Sequence, residues 1–294
     1  VQSLLNTEIG IRLSNDMALG ETDFELMGMS GNNVKILLDG IPLIDRGATK
    51  QSLSQLDVNS IERVEIVEGP MSVVYGTDAL AGVINIITKK GDGYSEENTW
   101  RVGARVQEES MGKEYDFFKD KGLHNESIDL GFNHKSGLFV NGGYTRNNHG
   151  GWQGDLTGRE KRWHPKDQAL MNGMFGFQNR NMNVWYRLDF LDEKIFGPNN
   201  GSDLQPEKVS DKDFLTKRYT HQLQSDWKLD NRLDVHAALS YQDYKRRTRT
   251  TESDLSTVEK WLSSAEASQD ITQYKAWIAR ATVAWNIAPE FSVQ

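Results

Sequence analysis

The residues that could ligate a metal or attack a substrate are few and badly spaced for either task. Six histidines (124, 134, 149, 164, 221 and 236) have no cysteine to work with and never fall four apart. That removes thiolate zinc knuckles, CxxC redox pairs and a helical HExxH site. No GxSxG elbow is present, so a serine hydrolase would lack its nucleophile, and carboxylates such as Asp189 and Asp192 are scattered without catalytic spacing. Asp211 and Asp213 offer oxygen to Ca²⁺, but two carboxylates make a weak site. His149 and His164 are candidate axial ligands for haem iron, against the commoner reading of exposed loop histidines.

The elements that would position these groups are strands. The chain has 294 residues, 34 Lys+Arg against 42 Asp+Glu, a net charge of -8 and a pI near 5.4, an acidic balance that disfavours nucleic acid as a partner. Mean hydropathy is -0.62, and no run approaches the roughly 18 to 20 apolar residues of a spanning helix. No basic-plus-apolar leader opens the sequence. None of this bears against a membrane β-barrel, whose strands alternate apolar with polar residues and average to a hydrophilic score.

Composition shifts near residue 93, at the Lys89-Lys90-Gly91-Asp92-Gly93 turn. All eight Trp follow it. Met182, Val184, Tyr186, Leu188 and Phe190 alternate with Asn183, Trp185, Arg187, Asp189 and Leu191, the period of a strand with one apolar face. Segments 233–242 and 277–287 do the same, and weaker versions cover 100–109, 126–134, 138–147, 168–178 and 217–229. Eight strands are expected, with a ninth from Phe291. Tight links at 135–137, 179–181, 230–231 and 288–290 alternate with long ones at about 110–125, 148–167, 193–216 and 247–272, so all tight turns share one rim. That is the layout of an outer-membrane barrel. Trp100, Phe177, Trp227 and Trp285 suit an interfacial girdle. In the last long loop, Ser256 with Glu259 reads as a capping box, and Leu255, Val258, Leu262 and Ala265 as one helical face. A soluble β-sandwich also alternates, but its strands are ordinarily shorter.

The first part reads as a compact α+β unit. NNVKILLDGIPLID gives a strand over 34–38, an Asp39-Gly40 turn and an extension through Pro42, which cannot donate to a ladder. LSQLDVNSIERVEIVEGPMSVVYGTDALAGVINIITKK gives a short helical turn and strands over 63–67 and 83–88, with glycine at the sharp corners.

At four places in order, LMGMSG (26–31), ILLDGIP (36–42), IERVEIVEGP (61–70) and VVYGTDALAGVINIITKK (73–90), the chain resembles the plug domain of TonB-dependent outer-membrane receptors. These transport iron siderophores, haem and cobalamin. The resemblance implies an N-terminal α+β plug over 1–93, truncated before its TonB box, and over 94–294 the first eight or nine strands of a membrane β-barrel that has 22 strands in the complete family. The signal peptide and TonB box are then expected upstream. Two departures stand out: Met27 and Glu68 occupy places where the family usually has the arginines that latch the plug to acidic barrel residues. A latch rebuilt around Arg63, or with Glu68 facing a barrel cation, is one expectation; drift without consequence is the other.

The resemblance also implies a ligand site on the plug's outward loops. Ile44, Asp45, Arg46 and Thr49 are the expected contacts, with Asp16 and Met17 secondary; each is otherwise an ordinary solvated turn residue. It implies a transporter and not an enzyme, with no resident cofactor or metal. The expected location is the Gram-negative outer membrane, in contact with lipid. The expected partners are TonB with its inner-membrane energising complex, and possibly a surface lipoprotein. The expected cargo is a ferric siderophore, with haem or cobalamin as alternatives, then peptide or glycan import or a passive porin.

Overall fold

The computed structural model describes residues 11–16, 21–26, 28–30, 33–44, 53–69, 79–91, 97–230, 232–288 and 291–293. Strands β1 (Ile11–Asp16), β2 (Glu21–Leu26) and β3 (Met29–Ser30) form a small antiparallel sheet. A second sheet contains β4 (Val34–Leu38), β5 (Ile41–Pro42), β6 (Ile61–Glu68) and β7 (Gly82–Thr88) in the order β5-β4-β7-β6. Strands β4 and β7 run parallel, and β6 returns antiparallel on β7. β4 and β7 are almost continuously apolar because both their faces are covered. Leu26, Val34, Ile36, Ile84 and Ile86 are buried in one cluster, and Leu37 with Val83 in another.

The β4–β5 hairpin turns on Asp39 and Gly40, with φ of 51° and 81°, the left-handed pair that a two-residue turn demands and that Asp-Gly supplies at least cost. The Asp39 carboxylate fixes the turn from behind, accepting from the Thr88 N–H at 3.0 Å and the Thr88 hydroxyl at 2.7 Å. Pro42 sits on the outermost strand, where no ladder bond asks for its missing donor. Between the hairpin and β6, two 3-10 turns occupy Leu53–Gln55 and Val58–Ser60.

The remaining strands make one antiparallel meander: β8 (Thr99–Glu109), β9 (Leu123–Asn133), β10 (Leu138–His149), β11 (Lys166–Gln178), β12 (Met182–Gly197), β13 (Lys208–Asp230), β14 (Leu233–Asp254), β16 (Ile271–Ala288) and β17 (Phe291–Val293). The expected eight strands and the ninth from Phe291 are there, each paired with its sequence neighbour. Buried alternate residues, such as Thr216, Arg218, Thr220, Gln222 and Gln224 on β13, face the N-terminal unit. The other face is apolar and exposed, including Val102, Leu130, Val140, Phe175, Leu223 and Leu239.

Two expectations are corrected. The long links at 193–216 and 247–272 are mostly strand: β13 runs 23 residues and β14 runs 22. The expected helix is absent as well. A short β15 (Glu259–Leu262) folds back on β14, pairing Thr251 with Leu262 and Asp254 with Glu259. Asp254, not Ser256, caps the turn, accepting from the Ser256 N–H at 2.9 Å. Beside the open edge of β14, strand addition satisfies backbone groups that an isolated helix of about ten residues would leave to weak local propensity.

Candidate plug seat and ligand site

Side chains within 53–60 seat the N-terminal unit on the strand wall. Asp57 first caps its own 3-10 turn through the Asn59 N–H at 3.0 Å. Its carboxylate then accepts from Thr145 Oγ1 on β10 at 3.0 Å and Asn172 Nδ2 on β11 at 3.2 Å. Burial pushes the Asp57 carboxyl above its ordinary range, against the pull of these donors and the Arg187 charge. Gln55 donates to Glu193 Oε1 at 2.7 Å, and the Gln55 carbonyl accepts from Arg218 Nη2 at 2.8 Å. Arg187 reaches the Ser60 hydroxyl at 3.3 Å while held by Asp189 at 2.6 Å.

The expected latches lie elsewhere. Arg63 pairs with Glu62 and Glu65 beside it, Glu68 is exposed, and Met27 lies outside the described residues. The wall itself supplies the arginines, Arg187 and Arg218, and these meet hydroxyl and backbone groups of the unit.

Nearer the tight turns than Arg218, glutamines read the backbone of the β4–β5 hairpin. Gln222 donates to the Leu38 carbonyl at 3.3 Å, Gln224 to Asp39 at 2.9 Å and Gln242 to Pro42 at 2.7 Å. The Gln242 carbonyl oxygen also accepts from the Ile44 N–H at 2.8 Å. Ile44, expected as a ligand contact, is therefore a half-buried anchor with its backbone engaged. Asp16 ends β1. Met17, Asp45, Arg46 and Thr49 lie outside the described residues.

The wall face that carries Gln242 continues toward the long loops. Register pairs Gln242 with Thr220, Tyr244 with Arg218, Arg246 with Thr216, Thr248 with Phe214 and Thr250 with Lys212. Above the hairpin, Arg246 stacks on the Phe214 ring at 4.5 Å and Lys212 stands 5.9 Å from it. An aromatic platform with two cations can receive an anionic, ring-bearing ligand. The sequence does not single out this part, because 193–216 reads as a loop; the alternation continuing from Gln242 through Tyr244 and Arg246 is the signal that marks it.

The other candidates resolve differently. His149 is buried, its ring 4.1 Å from that of Trp163, and its Nδ1 accepts from the Gly151 N–H at 2.8 Å. It is a structural corner and not an exposed loop histidine. Asp211 forms a bidentate pair with Arg159 at 2.9 and 2.6 Å, and Asp213 pairs with Arg249. Among the described residues no group of three or more acidic or histidine side chains is placed to hold a metal.

Known proteins fit this geometry. Residues 1–83 match the family described as TonB-dependent Receptor Plug Domain. The ferrienterobactin receptor of Escherichia coli (strain K12) is 33% identical over 107 residues, covering 32% of this chain and 14% of that protein. The iron-regulated outer membrane virulence protein of Vibrio cholerae serotype O1 (strain ATCC 39541) is 40% identical over 80 residues, covering 24% and 12%. The outer membrane transporter YddB from Escherichia coli shares the fold at a TM-score of 0.65 and 15% identity, covering 96% of this chain and 42% of that one. The chain thus spans under half the length of that solved relative, and the matched regions span far less of the two curated ones.

These matches support a fragment of a TonB-dependent receptor, and the named relatives are receptors and transporters and not enzymes. The chain carries their plug and an adjoining part of their β-barrel, and its location is the outer membrane.

Proposed function

We propose that the protein containing this chain performs TonB-dependent active transport across the outer membrane, with a ferric siderophore as its cargo. Residues 1–93 act as the plug and 94–294 as barrel wall. The observation that carries the reading is the plug hairpin held by Gln242 directly below the Phe214, Lys212 and Arg246 cluster. Cargo settling there touches wall and plug together. An iron chelate with anionic oxygens and flat rings suits a cationic aromatic surface, and the relatives are named for ferrienterobactin and for iron regulation.

The transport step breaks no bond in the cargo. Binding above the hairpin biases the plug through the Pro42 and Ile44 contacts. TonB, driven by the inner-membrane proton gradient, pulls an extended plug segment by strand addition and loosens the polar seat around Asp57. That seat consists mainly of hydrogen bonds between one charged and one neutral group, each worth about 1.5 to 3 kcal/mol net, so water can replace them one at a time under the pull.

The test is growth of cells carrying the full-length gene when a ferric siderophore, haemin or cobalamin is the sole limiting nutrient. Rescue by a ferric siderophore, with uptake affinity falling about tenfold in Lys212→Ala/Arg246→Ala, supports the reading. Rescue only by haemin or cobalamin reassigns the cargo, and rescue by none points to peptide or glycan.

A further inference from the structure

The outward face of the wall changes character abruptly along β12, β13, β14 and β16. Because Thr216, Arg218, Thr220 and Gln222 are buried toward the plug, Lys217, Tyr219, His221 and Leu223 point outward. Register carries this parity sideways. Phe190, Tyr219, Asp243 and Lys275 form one cross-strand row. Asp192, Lys217 and Lys245 form the next row toward the long loops, and Lys194, Leu215 and Arg247 the one after.

From the Phe190 and Tyr219 row downward the face of β12 and β13 is apolar and ringed. Phe190 packs on Tyr219 with centroids 4.8 Å apart, and Tyr241 on Trp277 at the same 4.8 Å. Trp227 and Trp285, at the tight-turn ends, each lie eight residues from Tyr219 and Trp277 on their own strands, about 26 Å along the strand. Counted inclusively, that run of nine residues matches the roughly 9 to 11 by which a tilted strand crosses the bilayer. The charged rows therefore sit where the outer leaflet's headgroups begin.

Their balance is cationic. Lys217 lies 3.3 Å from Asp192, Lys275 lies 3.6 Å from Asp243, and Lys194 shares Asp213 with Arg249. Lys245 and Arg247 are exposed, and among the described residues neither has an acidic partner within 4 Å. Lys217 and Lys245 stand directly opposite each other on one face, an arrangement of like charges that costs stability unless an anion lies between them.

We propose that this surface binds the phosphate-bearing headgroup of an outer-leaflet glycolipid. Lys217, Lys245 and Arg247 hold the phosphate, and Tyr219, Tyr241 and Trp277 meet the acyl chains. Clustered bases at the edge of an apolar band recognise anionic headgroups by this combination of charge and depth. A phosphorylated lipid is favoured over a soluble anion because only the lipid uses the aromatic shelf and the basic rows together. The inference rests on the outer-membrane location and is independent of the cargo.

The experiment uses the full-length protein in detergent, titrated with diphosphorylated lipid A, with lipid A stripped of its phosphates, and with inorganic phosphate, followed by native mass spectrometry and thermal melting. The expected result is binding and a raised Tm with the diphosphorylated lipid alone. Affinity should fall roughly a hundredfold in Lys217→Gln/Lys245→Gln/Arg247→Gln. Asp192→Asn, which removes a competing carboxylate, should bind more tightly than wild type, and this holds the proposal to account if the triple variant fails to fold. Equal binding of the stripped lipid, equal binding by the triple variant, or an equal shift with inorganic phosphate would overturn it. So would a dimer that forms without lipid and is lost in the triple variant, since that assigns the surface to a second copy.

Discussion

Gln242 and Ile44 are joined across 198 residues of sequence, the Ile44 N–H donating to the Gln242 carbonyl oxygen at 2.8 Å while the Gln242 amide nitrogen donates to the Pro42 carbonyl at 2.7 Å. One wall side chain thus closes on both sides of a single plug residue. Replacing Gln242 with Leu removes both bonds and leaves the Ile44 N–H and the Pro42 carbonyl unsatisfied. The loss should be about 1 to 3 kcal/mol of local stability. Hydrogen exchange read over 41–44 is expected to speed up by one to two orders of magnitude, with little change in β13 or β14.

The two faces of β13 should respond oppositely to charge. Leu223→Arg puts a guanidinium on the lipid face and is expected to cost about 2 to 4 kcal/mol near mid-bilayer. It should lower the fraction that resists unfolding in sodium dodecyl sulfate gels. The same change at Leu215, level with Arg247 in the headgroup region, should be nearly neutral.

Gly82 tests the plug sheet. Its φ is +151°, and a Cβ there would meet the Val67 carbonyl oxygen at 2.3 Å. Gly82→Ala must therefore push β6 from β7, at a cost of about 2 kcal/mol or more. Faster exchange confined to 61–68 and 82–88 is the expected outcome.

His149 makes one loop corner sensitive to acid. It is the twelfth residue of β10, beyond the roughly 9 to 11 residues that cross a bilayer. Burial, with help from the Lys166 charge, depresses its pKa from 6.5 to about 4. The unfolded corner takes up a proton first, so its contribution to stability is complete above pH 6.5 and is lost as pH falls toward 4. Proteolysis within 150–165 should accelerate between pH 7 and pH 5, and His149→Phe should remove that dependence.

Strand order and the alternation of tight and long connections were legible because the lipid face imposes a strict apolar period, as along Val184, Tyr186, Leu188 and Phe190. The signal ends where the lipid does. Beyond Leu191 the wall meets water on its outer face, Asp192 and Lys194 replace apolar residues, and β12 to β14 continue by backbone pairing and charged cross-strand contacts with no apolar period. That is why 193–216 and 247–272 read as loops. The Ser256 and Glu259 pattern misled for a related reason: it scored local propensity without the open edge of β14. The plug motifs were legible from the turn chemistry of Asp39-Gly40. The seat around Asp57, Glu193 and Arg187 was not, since it depends on partners 86 or more residues away.

The most direct test of the account is uptake of a radiolabelled ferric siderophore by cells expressing the full-length protein, with the inner-membrane proton gradient intact or collapsed. The account predicts saturable uptake that stops when the gradient is collapsed, while binding at the cell surface persists. Uptake that continues unchanged without the gradient would make the protein a passive pore and contradict it.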